Sequence, residues 1–352
     1  MKILIDASGV GPGGLSRVLV RLTEVWSSCD QIAIVAAPAS MGSTGRREGV
    51  TVISEQRRTR AATILSAWVS IYRSCREFDA VLSMSPSLAV VGCRVPVVTV
   101  FNDLLFVERP DLVSRWARAY RAVSYRAALR WSYSVACISK ATAQSLSRWA
   151  AGRLRSTPKV VPLSGELEGS PSTLPAALAN RLGEAEPLIV APGHAANKGI
   201  EHLLRALQVL SGDWAAVVLA GNAEMLARWV ALAREIGLAD RVTVLDWIPD
   251  SEYLALLDRA SLFVMLSEAE GFGLPAVEAA QRGVQVLIAP EPALMEACAG
   301  RAVVCESRDA DTVAQAIADG LKRPRRADSV PGRSWVAVSE DIRSLLGDIV
   351  DR

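Results

Sequence analysis

Two glutamates lie eight positions apart around a glycine-rich turn in the stretch EAEGFGLPAVEA, residues 268–279. Glu270 precedes the turn and Glu278 follows it. A carboxylate accepts paired hydrogen bonds from neighbouring hydroxyls such as those of a ribose or a hexose. Glycines let the backbone approach a ligand closely, and the exposed N–H groups of a helix start attract anions. The stretch therefore predicts a site for a molecule that carries both sugar hydroxyls and phosphate.

The residues around the turn predict how it is positioned. SLFVMLS before Glu268 predicts a buried strand, and PAVEAAQRG predicts a helix that begins near Pro275 and ends at Gly283. The turn, residues 271–274, then connects a strand to a helix at the carboxyl edge of a parallel sheet, where such sheets bind ligands. The alternative interpretation is that the two acids only favour the dipole at a helix start.

Lys198 is a second candidate, because it follows a predicted strand and precedes Gly199 and a predicted helix. A lysine at such a loop can neutralise a phosphate bound at the helix start. The alternative is an ordinary solvated lysine. His194 precedes Lys198 in the same loop and either contacts the phosphate or is structural.

The segment GVGPGG, residues 9–14, has the glycine spacing of dinucleotide-binding sites. Such a site requires an acid at the end of the second strand to bind a ribose, but the strand QIAIVAAPAS ends in alanines and proline. This absence disfavours a nicotinamide-dependent oxidoreductase. A loop that closes over phosphate fits better, and we predict that the backbone amides of Gly13 and Gly14 contact it.

The composition excludes several classes of site. The two histidines both lie in the second half, which excludes a His-rich metal site or a Ser-His-Asp triad in the first. The six cysteines are scattered without a C-x-x-C pair, as in reduced thiols of a cytosolic protein. Asp309 and Asp311 resemble a metal-binding pair, but they open a predicted helix and are interpreted as capping residues. We expect no obligate metal.

The charge is divided unevenly along the chain. Residues 1–165 contain 22 Lys and Arg against 10 Asp and Glu, and the remainder contains 17 against 27. The predicted helix 113–133 adds arginines and interfacial aromatics, as helices at membrane surfaces do. We expect a cytoplasmic protein, peripheral on the inner face of the membrane, with an anionic surface or a lipid-linked acceptor as partner. The alternatives are a solvated helix or pairing with acids of the second half; no nucleic-acid-binding module is visible.

The pattern of short apolar runs and longer amphipathic stretches occurs twice, before and after a linker-like segment at 164–186. It predicts an α/β fold with two doubly wound Rossmann-like domains, at residues 1–165 and 186–322, and a final helix at 334–352. The predicted strands are Lys2–Asp6, Gln31–Ala37, Val50–Ser54, Asp79–Met84, Val95–Phe101, Val135–Ser139, Pro187–Ala191, Trp214–Ala220, Arg241–Trp247, Ser261–Leu266, Val284–Ala289 and Ala302–Cys305. The predicted helices include Leu15–Ser28, Thr59–Arg76, Gly199–Leu210, Glu224–Ile236, Thr312–Leu321 and Ser334–Val350.

The segment RASLFVMLSEAEGFGLPAVEAAQRGVQVLIA, residues 259–289, resembles the signature of family 4 glycosyltransferases, and Glu270 and Glu278 match the family's E-x7-E motif. APGHAANKGIEHLLRAL resembles the family's diphosphate-binding segment, with Lys198 at the expected lysine. VPVVTVFNDLLFVERP resembles the stretch with a His-Asp pair, GVGPGGLSR the glycine loop, and RSWVAVSEDIRSLLGDIV the helix that returns to the first domain. The resemblance covers nearly the whole chain and is strongest at 187–290.

The resemblance implies a GT-B fold, with two domains facing a cleft, and transfer of a sugar from a nucleotide-sugar donor with retention of configuration. It implies three catalytic residues: Lys198 neutralises the leaving diphosphate, Glu270 orients the sugar, and Asn102 contacts the sugar or the acceptor. It also implies that Glu278 binds the donor ribose. Further donor contacts are implied for Gly271, Phe272, Gly273, Leu274, His194, Gly13 and Gly14.

Two positions depart from the family pattern. Asn102-Asp103 stands where the family usually has His-Asp, and an amide can donate a hydrogen bond but cannot carry a proton. His194 stands where the family often has Arg. The prediction is a retaining glycosyltransferase with a glycan or lipid-linked acceptor. The alternative is a non-catalytic sugar-nucleotide or glycan-binding subunit of a synthase complex, as the missing histidine would suggest.

Overall fold

The computed structural model describes residues 1–11, 13–39, 49–174, 178, 187–324 and 332–350. Residue contacts divide the chain into two compact units. The first unit combines Met1–Leu163 with Arg333–Arg352, and the second unit is Ser164–Gly332. Part of the predicted linker at 164–186, and Pro12 of the glycine loop, lie outside the described residues.

The first unit is built around a parallel sheet with helices between its strands. Its described strands are β1 (Lys2–Asp6), β2 (Gln31–Val35), β3 (Val50–Val52), β4 (Ala80–Ser83), β5 (Val97–Phe101), β6 (Ser134–Cys137) and β7 (Lys159–Val160). They pair in the order β3-β2-β1-β4-β5-β6-β7. Its helices up to Leu163 are α1 (Gly14–Val25), α2 (Arg60–Ser74), α3 (Leu105–Glu108), α4 (Arg115–Trp131) and α5 (Lys140–Ala150).

Three of these helices begin at side-chain caps that the sequence supplies. Thr59, Ser114 and Ser139 each accept a hydrogen bond from the backbone N–H three residues further on. Such a bond satisfies one of the amide groups that a helix start leaves without a partner. Two of these helices were predicted, at Thr59–Arg76 and at 113–133, and both begin within two residues of the predicted start.

The second unit repeats the arrangement. Its described strands are β8 (Leu188–Pro192), β9 (Ala215–Leu219), β10 (Val242–Leu245), β11 (Leu262–Met265), β12 (Gln285–Ile288) and β13 (Ala302–Val304). They are parallel and pair in the order β10-β9-β8-β11-β12-β13. The helices are α6 (Ile200–Val209), α7 (Ala223–Glu235), α8 (Asp250–Arg259), α9 (Leu274–Gln281), α10 (Pro292–Ala297) and α11 (Ala310–Leu321).

The last helix, α12 (Trp335–Val350), belongs to the first unit and packs against α1. Arg343 Nε donates to Asp30 Oδ2 at 2.7 Å, and the amino terminus donates to Asp30 Oδ1 at 2.7 Å. Burial opposes ionisation of Asp30, but the hydrogen bonds from Arg343, the amino terminus and Trp26 outweigh it and lower the pKa of this carboxyl. Asp30 thus holds the last helix against the first residues of the chain.

The prediction of two doubly wound Rossmann-like domains is confirmed. Every predicted strand occurs, and each predicted end lies within two residues of the observed one. The predicted strand Gln31–Ala37 is too long, because Ala36 has φ 55° and ends β2 after Val35. The strand β7 was not predicted; its two residues are too few to produce a recognisable period.

Candidate functional site

The candidate site lies at the point where the strand order of the second unit reverses. The chain runs from β8 outward through β9 to β10 and then crosses to β11 on the other side of β8. Pairing between β8 and β11 stops at Val190 and Phe263, two residues before each strand ends. A crevice outside the carboxyl ends at such a reversal is where open parallel sheets bind ligands. The loops that carry Lys198 and Glu270 follow these two strands.

The loop after β8 places Lys198 through a glycine. Residues Ala196–Lys198 form a single 3-10 turn, and Gly199 has φ 72°. A Cβ at Gly199 would lie 2.2 Å from the backbone oxygen of Leu266, in the loop after β11. Only glycine allows both this conformation and this approach. The two loops therefore touch at Gly199.

Lys198 and Glu270 form an ion pair in the crevice. Lys198 Nζ lies 2.5 Å from Glu270 Oε1, and the side chains are only 9% and 11% exposed. A buried charge requires a close partner, because removing it from water is costly. Glu270 thus neutralises the cation that was predicted to meet a diphosphate.

Asn197 connects the two loops by hydrogen bonds in both directions. Its Nδ2 donates to the backbone oxygen of Ala269 at 3.0 Å, and its backbone oxygen accepts from the N–H of Glu268 at 2.9 Å. Arg308 also donates to the backbone oxygens of Leu266 and Ser267. These bonds hold the backbone on either side of the Lys198–Glu270 pair.

The predicted donor turn, residues 271–274, leads into α9. Gly273 precedes the helix with φ 87°, and a Cβ there would lie 2.2 Å from Leu294 Cδ2. The side chains of Phe272 and Leu274 are buried. Any ligand contact of these two residues would therefore involve their backbone, and the donor contacts predicted for them stay predictions.

Glu278 is held inside the second unit and is 2% exposed. Its Oε2 accepts a hydrogen bond from Tyr253 Oη at 3.1 Å. A buried carboxylate that is hydrogen-bonded on one oxygen keeps a fixed orientation.

His194 lies at the start of the loop after β8 and its side chain is exposed. Its backbone oxygen accepts from Asn222 Nδ2 at 3.1 Å. Loss of hydration beside the protein, and then repulsion from the Lys198 charge, lower the pKa of His194. Because the imidazole is exposed, solvent screens part of this effect, but its direction makes the ring neutral at pH 7.

Glu291 is a buried acid beside Glu270 that the sequence reading did not select. Its Oε2 accepts from the N–H of Leu294 at 2.9 Å and so caps α10. Burial, and then the charge of Glu270, raise the pKa of Glu291 to about 7 against the hydrogen bonds that lower it. The protonation of Glu291 therefore depends in part on the charge of Glu270.

The predicted residues of the first unit lie on loops at the carboxyl edge of its own sheet. Asn102 follows β5, and its Nδ2 donates to the backbone oxygen of Met84 at 2.9 Å. Asp103 Oδ1 accepts from the N–H of Leu105 at 3.0 Å and so orders the loop. Gly13 has φ 109° and Gly14 is the first residue of α1, which leaves the helix start open to an anion.

Neither a metal cluster nor a membrane span is found in the described part of the chain. No three His, Cys, Asp or Glu side chains there are grouped as metal ligands. Asp309 Oδ1 accepts from the N–H of Thr312 at 2.9 Å, which is the capping role predicted for it. Among the described residues, no helix is both long enough and apolar enough to cross a bilayer.

The sequence reading missed Asn197, Tyr253, Glu291 and Arg308. Asn197 carried a weak signal, because it adjoins Lys198 in a predicted loop. Tyr253 and Arg308 are 25 and 42 positions from the residues that they contact, and Glu291 is 21 positions from Glu270, so only the fold brings these groups together.

Part of the chain is similar to a known family. Residues 179–330 match the family model "Glycosyl transferases group 1". That stretch contains Lys198, Glu270 and Glu278.

Two relatives carry more specific names. A GDP-mannose:cellobiosyl-diphosphopolyprenol alpha-mannosyltransferase of Komagataeibacter xylinus is 30% identical over 172 residues, which are 45% of this chain and 44% of that protein. A GDP-mannose-dependent alpha-(1-6)-phosphatidylinositol monomannoside mannosyltransferase of Mycobacterium tuberculosis (strain CDC 1551 / Oshkosh) is 29% identical over 184 residues, 49% of this chain and 48% of that protein. The chain spans about half the length of the curated relatives that it matches.

A solved structure covers the whole chain. Anabaena Alr3699/HepE in complex with UDP-glucose superposes with a TM-score of 0.74 at 20% sequence identity, over 100% of this chain and 97% of that one. The fold is therefore the GT-B fold, with two Rossmann-like domains.

Proposed function

We propose that this protein is a retaining glycosyltransferase, which moves a sugar from a nucleotide-sugar donor to a glycan or lipid-linked acceptor. The observation that carries the proposal is the buried Lys198–Glu270 pair at the strand reversal of the second unit, within the stretch that matches the glycosyltransferase family model. Such a pair provides one group for a phosphate and one for sugar hydroxyls at the same point.

The donor diphosphate would replace Glu270 as the partner of Lys198. Negative charge develops on the diphosphate as the glycosidic bond breaks, and a fixed cation in a buried site stabilises that charge. The N–H groups at the starts of α6 and α9 add favourable dipoles. Glu270, released from the lysine, would then accept hydrogen bonds from the sugar hydroxyls together with the amides of Phe272 and Gly273.

Glu278 would bind the two hydroxyls of the donor ribose. Its bond from Tyr253 uses one oxygen and orients the carboxylate. His194 is neutral near pH 7 and so would give the diphosphate a hydrogen bond rather than a full charge. The phosphate contact predicted for the amides of Gly13 and Gly14 stays a prediction.

Retention of configuration follows from front-face attack, in which the leaving phosphate takes the proton of the acceptor hydroxyl. This route does not require a proton-carrying side chain at position 102. Asn102 would contribute a hydrogen bond to the sugar or the acceptor, with one N–H of its amide already used on Met84. This route needs no metal, since Lys198 and the helix starts oppose the diphosphate charge.

The acceptor would be a lipid-linked glycan at the inner, cytoplasmic face of a membrane. The names of the relatives point this way, since one acts on a diphosphopolyprenol and the other on a phosphatidylinositol. The basic first half of the chain would favour an anionic membrane surface.

The test is a thermal-unfolding screen of the purified protein against nucleotide sugars, GDP-mannose and UDP-glucose among them, followed by transfer to a lipid-linked glycan. A donor at a hundred times its dissociation constant adds about 2.7 kcal/mol to the free energy of unfolding. NMR of the first-formed product should show the donor's anomeric configuration. An inverted product would refute the retaining mechanism, and the lack of any stabilising nucleotide sugar would refute the donor site.

A second candidate is a non-catalytic sugar-nucleotide or glycan-binding subunit of a synthase complex. It is favoured by Asn102, which stands in place of the usual histidine. The substitution Asn102→His separates the two candidates. An active enzyme adapted to asparagine should lose activity, whereas a clear gain in transfer from a low base would favour the binding subunit.

A further inference from the structure

A groove in the first unit lies outside the residues used above. It has a volume of about 530 Å³ and is formed by α3, α4, α5 and the short turn Pro110–Leu112. Most of its lining is apolar, and two arginines of α4 complete it. The lining residues are Phe106, Val107, Pro110, Arg115, Arg118, Ala119, Ala122 and Trp149.

The apolar wall of the groove is rigid. The rings of Phe106, Tyr125 and Trp149 meet edge to face, with centroids 4.9 to 6.2 Å apart. The guanidinium of Arg126 lies over Trp149 at 5.3 Å. Aromatic rings held in such contacts keep their positions, so the groove exists before a ligand arrives.

The two arginines of the lining are available to an anion. Arg115 and Arg118 are exposed, and neither forms an ion pair within the described residues. Nearby arginines differ: Arg109 pairs with Asp111 at 2.7 Å, and Arg121 pairs with Asp103 at 3.4 Å. Two unpaired guanidinium groups beside an apolar groove complement a phosphate attached to a hydrocarbon chain.

The groove adjoins the loop that carries Asn102. Phe106 belongs to α3, which begins three residues after Asn102, and Tyr125 Oη donates to the backbone oxygen of Asp103 at 3.1 Å. A ligand in the groove would therefore lie close to the carboxyl edge of the sheet in the first unit. Parallel sheets bind ligands at that edge.

We propose that this groove binds the hydrocarbon chain of a phosphorylated lipid acceptor, with Arg115 and Arg118 on its phosphate. The assignment of the lipid as the acceptor rests on the proposed function; the binding of an alkyl phosphate does not.

The experiment is a calorimetric titration of the full chain with dodecyl phosphate below its micelle concentration. Inorganic phosphate and dodecyl maltoside serve as probes that carry only one of the two features. We expect dodecyl phosphate to bind at least tenfold more tightly than either. Equal affinity for dodecyl maltoside, or no binding of dodecyl phosphate, would overturn the proposal.

Two variants on the same helix provide a matched comparison. Arg118→Gln removes an exposed charge that lines the groove, and Arg130→Gln removes an exposed charge that does not. The first should weaken dodecyl phosphate at least tenfold and the second less than twofold. Equal losses would indicate attraction to the whole basic helix and would overturn the site. Ala119→Leu, which narrows the groove without a change in charge, should also weaken binding.

Failure of this inference and failure of the proposed function can be told apart. The groove belongs to the first unit, whereas stabilisation by nucleotide sugars tests the second unit. If dodecyl phosphate binds in an Arg118-dependent way but no nucleotide sugar stabilises the protein, the groove stands and the enzyme assignment fails. If nucleotide sugars stabilise the protein and Arg118→Gln leaves dodecyl phosphate binding unchanged, the donor site stands and the groove proposal fails.

Discussion

At the scale of single residues, the site is a small set of buried ionisable side chains, each of which lies against a close polar neighbour. Lys198 is neutralised by Glu270, Glu270 lies beside Glu291, and Glu278 is held by Tyr253. A change in one of these charges must therefore be felt by its neighbour.

Lys198→Ala should lower turnover about a hundredfold or more, because its charge acts mainly on the leaving diphosphate. It should also destabilise the fold, because Glu270 is left buried without its cation. The added substitution Glu270→Gln should restore part of the free energy of unfolding, but not turnover. Lys322→Ala, at an exposed lysine of the same unit, is the control. Urea unfolding and steady-state kinetics measure the two effects, and an unchanged turnover would contradict the assignment.

Glu278→Gln should weaken donor binding by about 1.5–3 kcal/mol, because a neutral amide accepts from a diol less strongly than a carboxylate does. The amide oxygen can still accept from Tyr253, so the fold should be retained. Tyr253→Phe, which removes only the hydroxyl, should have a smaller effect. Calorimetry with the donor decides, and an unaltered dissociation constant would show that Glu278 does not contact it.

The pKa of Glu291 leads to a prediction about pH. Its pKa of about 7 in the folded protein is above its ordinary value of 4.5. At pH values between these two, the folded state therefore binds more protons than the unfolded state. The resulting stability is fully present below pH 4.5 and is lost as pH rises to about 7, with an upper bound of about 3 kcal/mol.

Glu291→Gln should remove this dependence, because the amide does not titrate and can still cap α10. Urea unfolding at pH 5 and pH 8 should therefore differ less in the variant than in the native protein. Glu306→Gln, at an exposed acid nearby, should leave the difference as it is. A native protein equally stable at both pH values would mean that Glu291 is ionised throughout.

At the scale of elements, glycines decide how closely the loops after β8 and β11 approach each other. Gly199 lies against the backbone of Leu266, and Gly273 lies against the side chain of Leu294. A side chain can rotate away from a new methyl group, but a backbone carbonyl can move only with its loop. Gly199 is therefore the stricter requirement.

Gly199→Ala should destabilise the second unit by more than the matched change Gly237→Ala. Both glycines have positive φ, at 72° and 78°, but a Cβ at Gly237 meets nothing within 4 Å. The control should cost about 1 kcal/mol for the left-handed conformation alone. The difference between the two variants, measured by urea unfolding, is then the effect of the clash. An equal loss of stability in the two variants would mean that the loop of Leu266 moves freely to make room for the added methyl group.

At the scale of the whole molecule, the uneven charge is the leading feature. Exposed aromatics accompany it on α4, where Trp116 is 87% exposed and Trp131 is 38% exposed. Three arginines of α4, Arg118, Arg121 and Arg126, are not equally available to lipid headgroups. Arg121 is paired with Asp103 and Arg126 lies over Trp149, which leaves Arg118 as the free cation of the three among the described residues.

The protein should bind vesicles that contain anionic lipid, and salt should weaken this binding. Each Lys or Arg near such a surface contributes about 1 kcal/mol, and at 1 M salt the interaction is screened beyond about 3 Å. Trp116→Ser should reduce the binding further, because an interfacial ring is lost. Co-sedimentation with neutral and anionic vesicles at low and high salt is the measurement. Equal binding to both kinds of vesicle would show that the basic charge does not drive the contact, and binding to neither would point to a soluble acceptor.

The sequence by itself determined the two series of strands and helices, the turn between Glu270 and Glu278, and the loop position of Lys198. These features depend on local periods, on glycine and proline, and on the order of elements, all of which can be read along the chain. The groove on α3, α4 and α5 had only a partial signal, since its arginines and aromatics could be noted but not its walls.

Only the tertiary structure decided which charged side chains pair with each other. Lys198 and Glu270 are 72 positions apart, and Asp30 and Arg343 are 313 positions apart. Glu291 resembles an ordinary helix cap in the sequence, and its raised pKa comes from burial and from Glu270. Pair interactions and pKa values depend on distance and desolvation, which arise when parallel strands bring remote loops to one edge of a sheet.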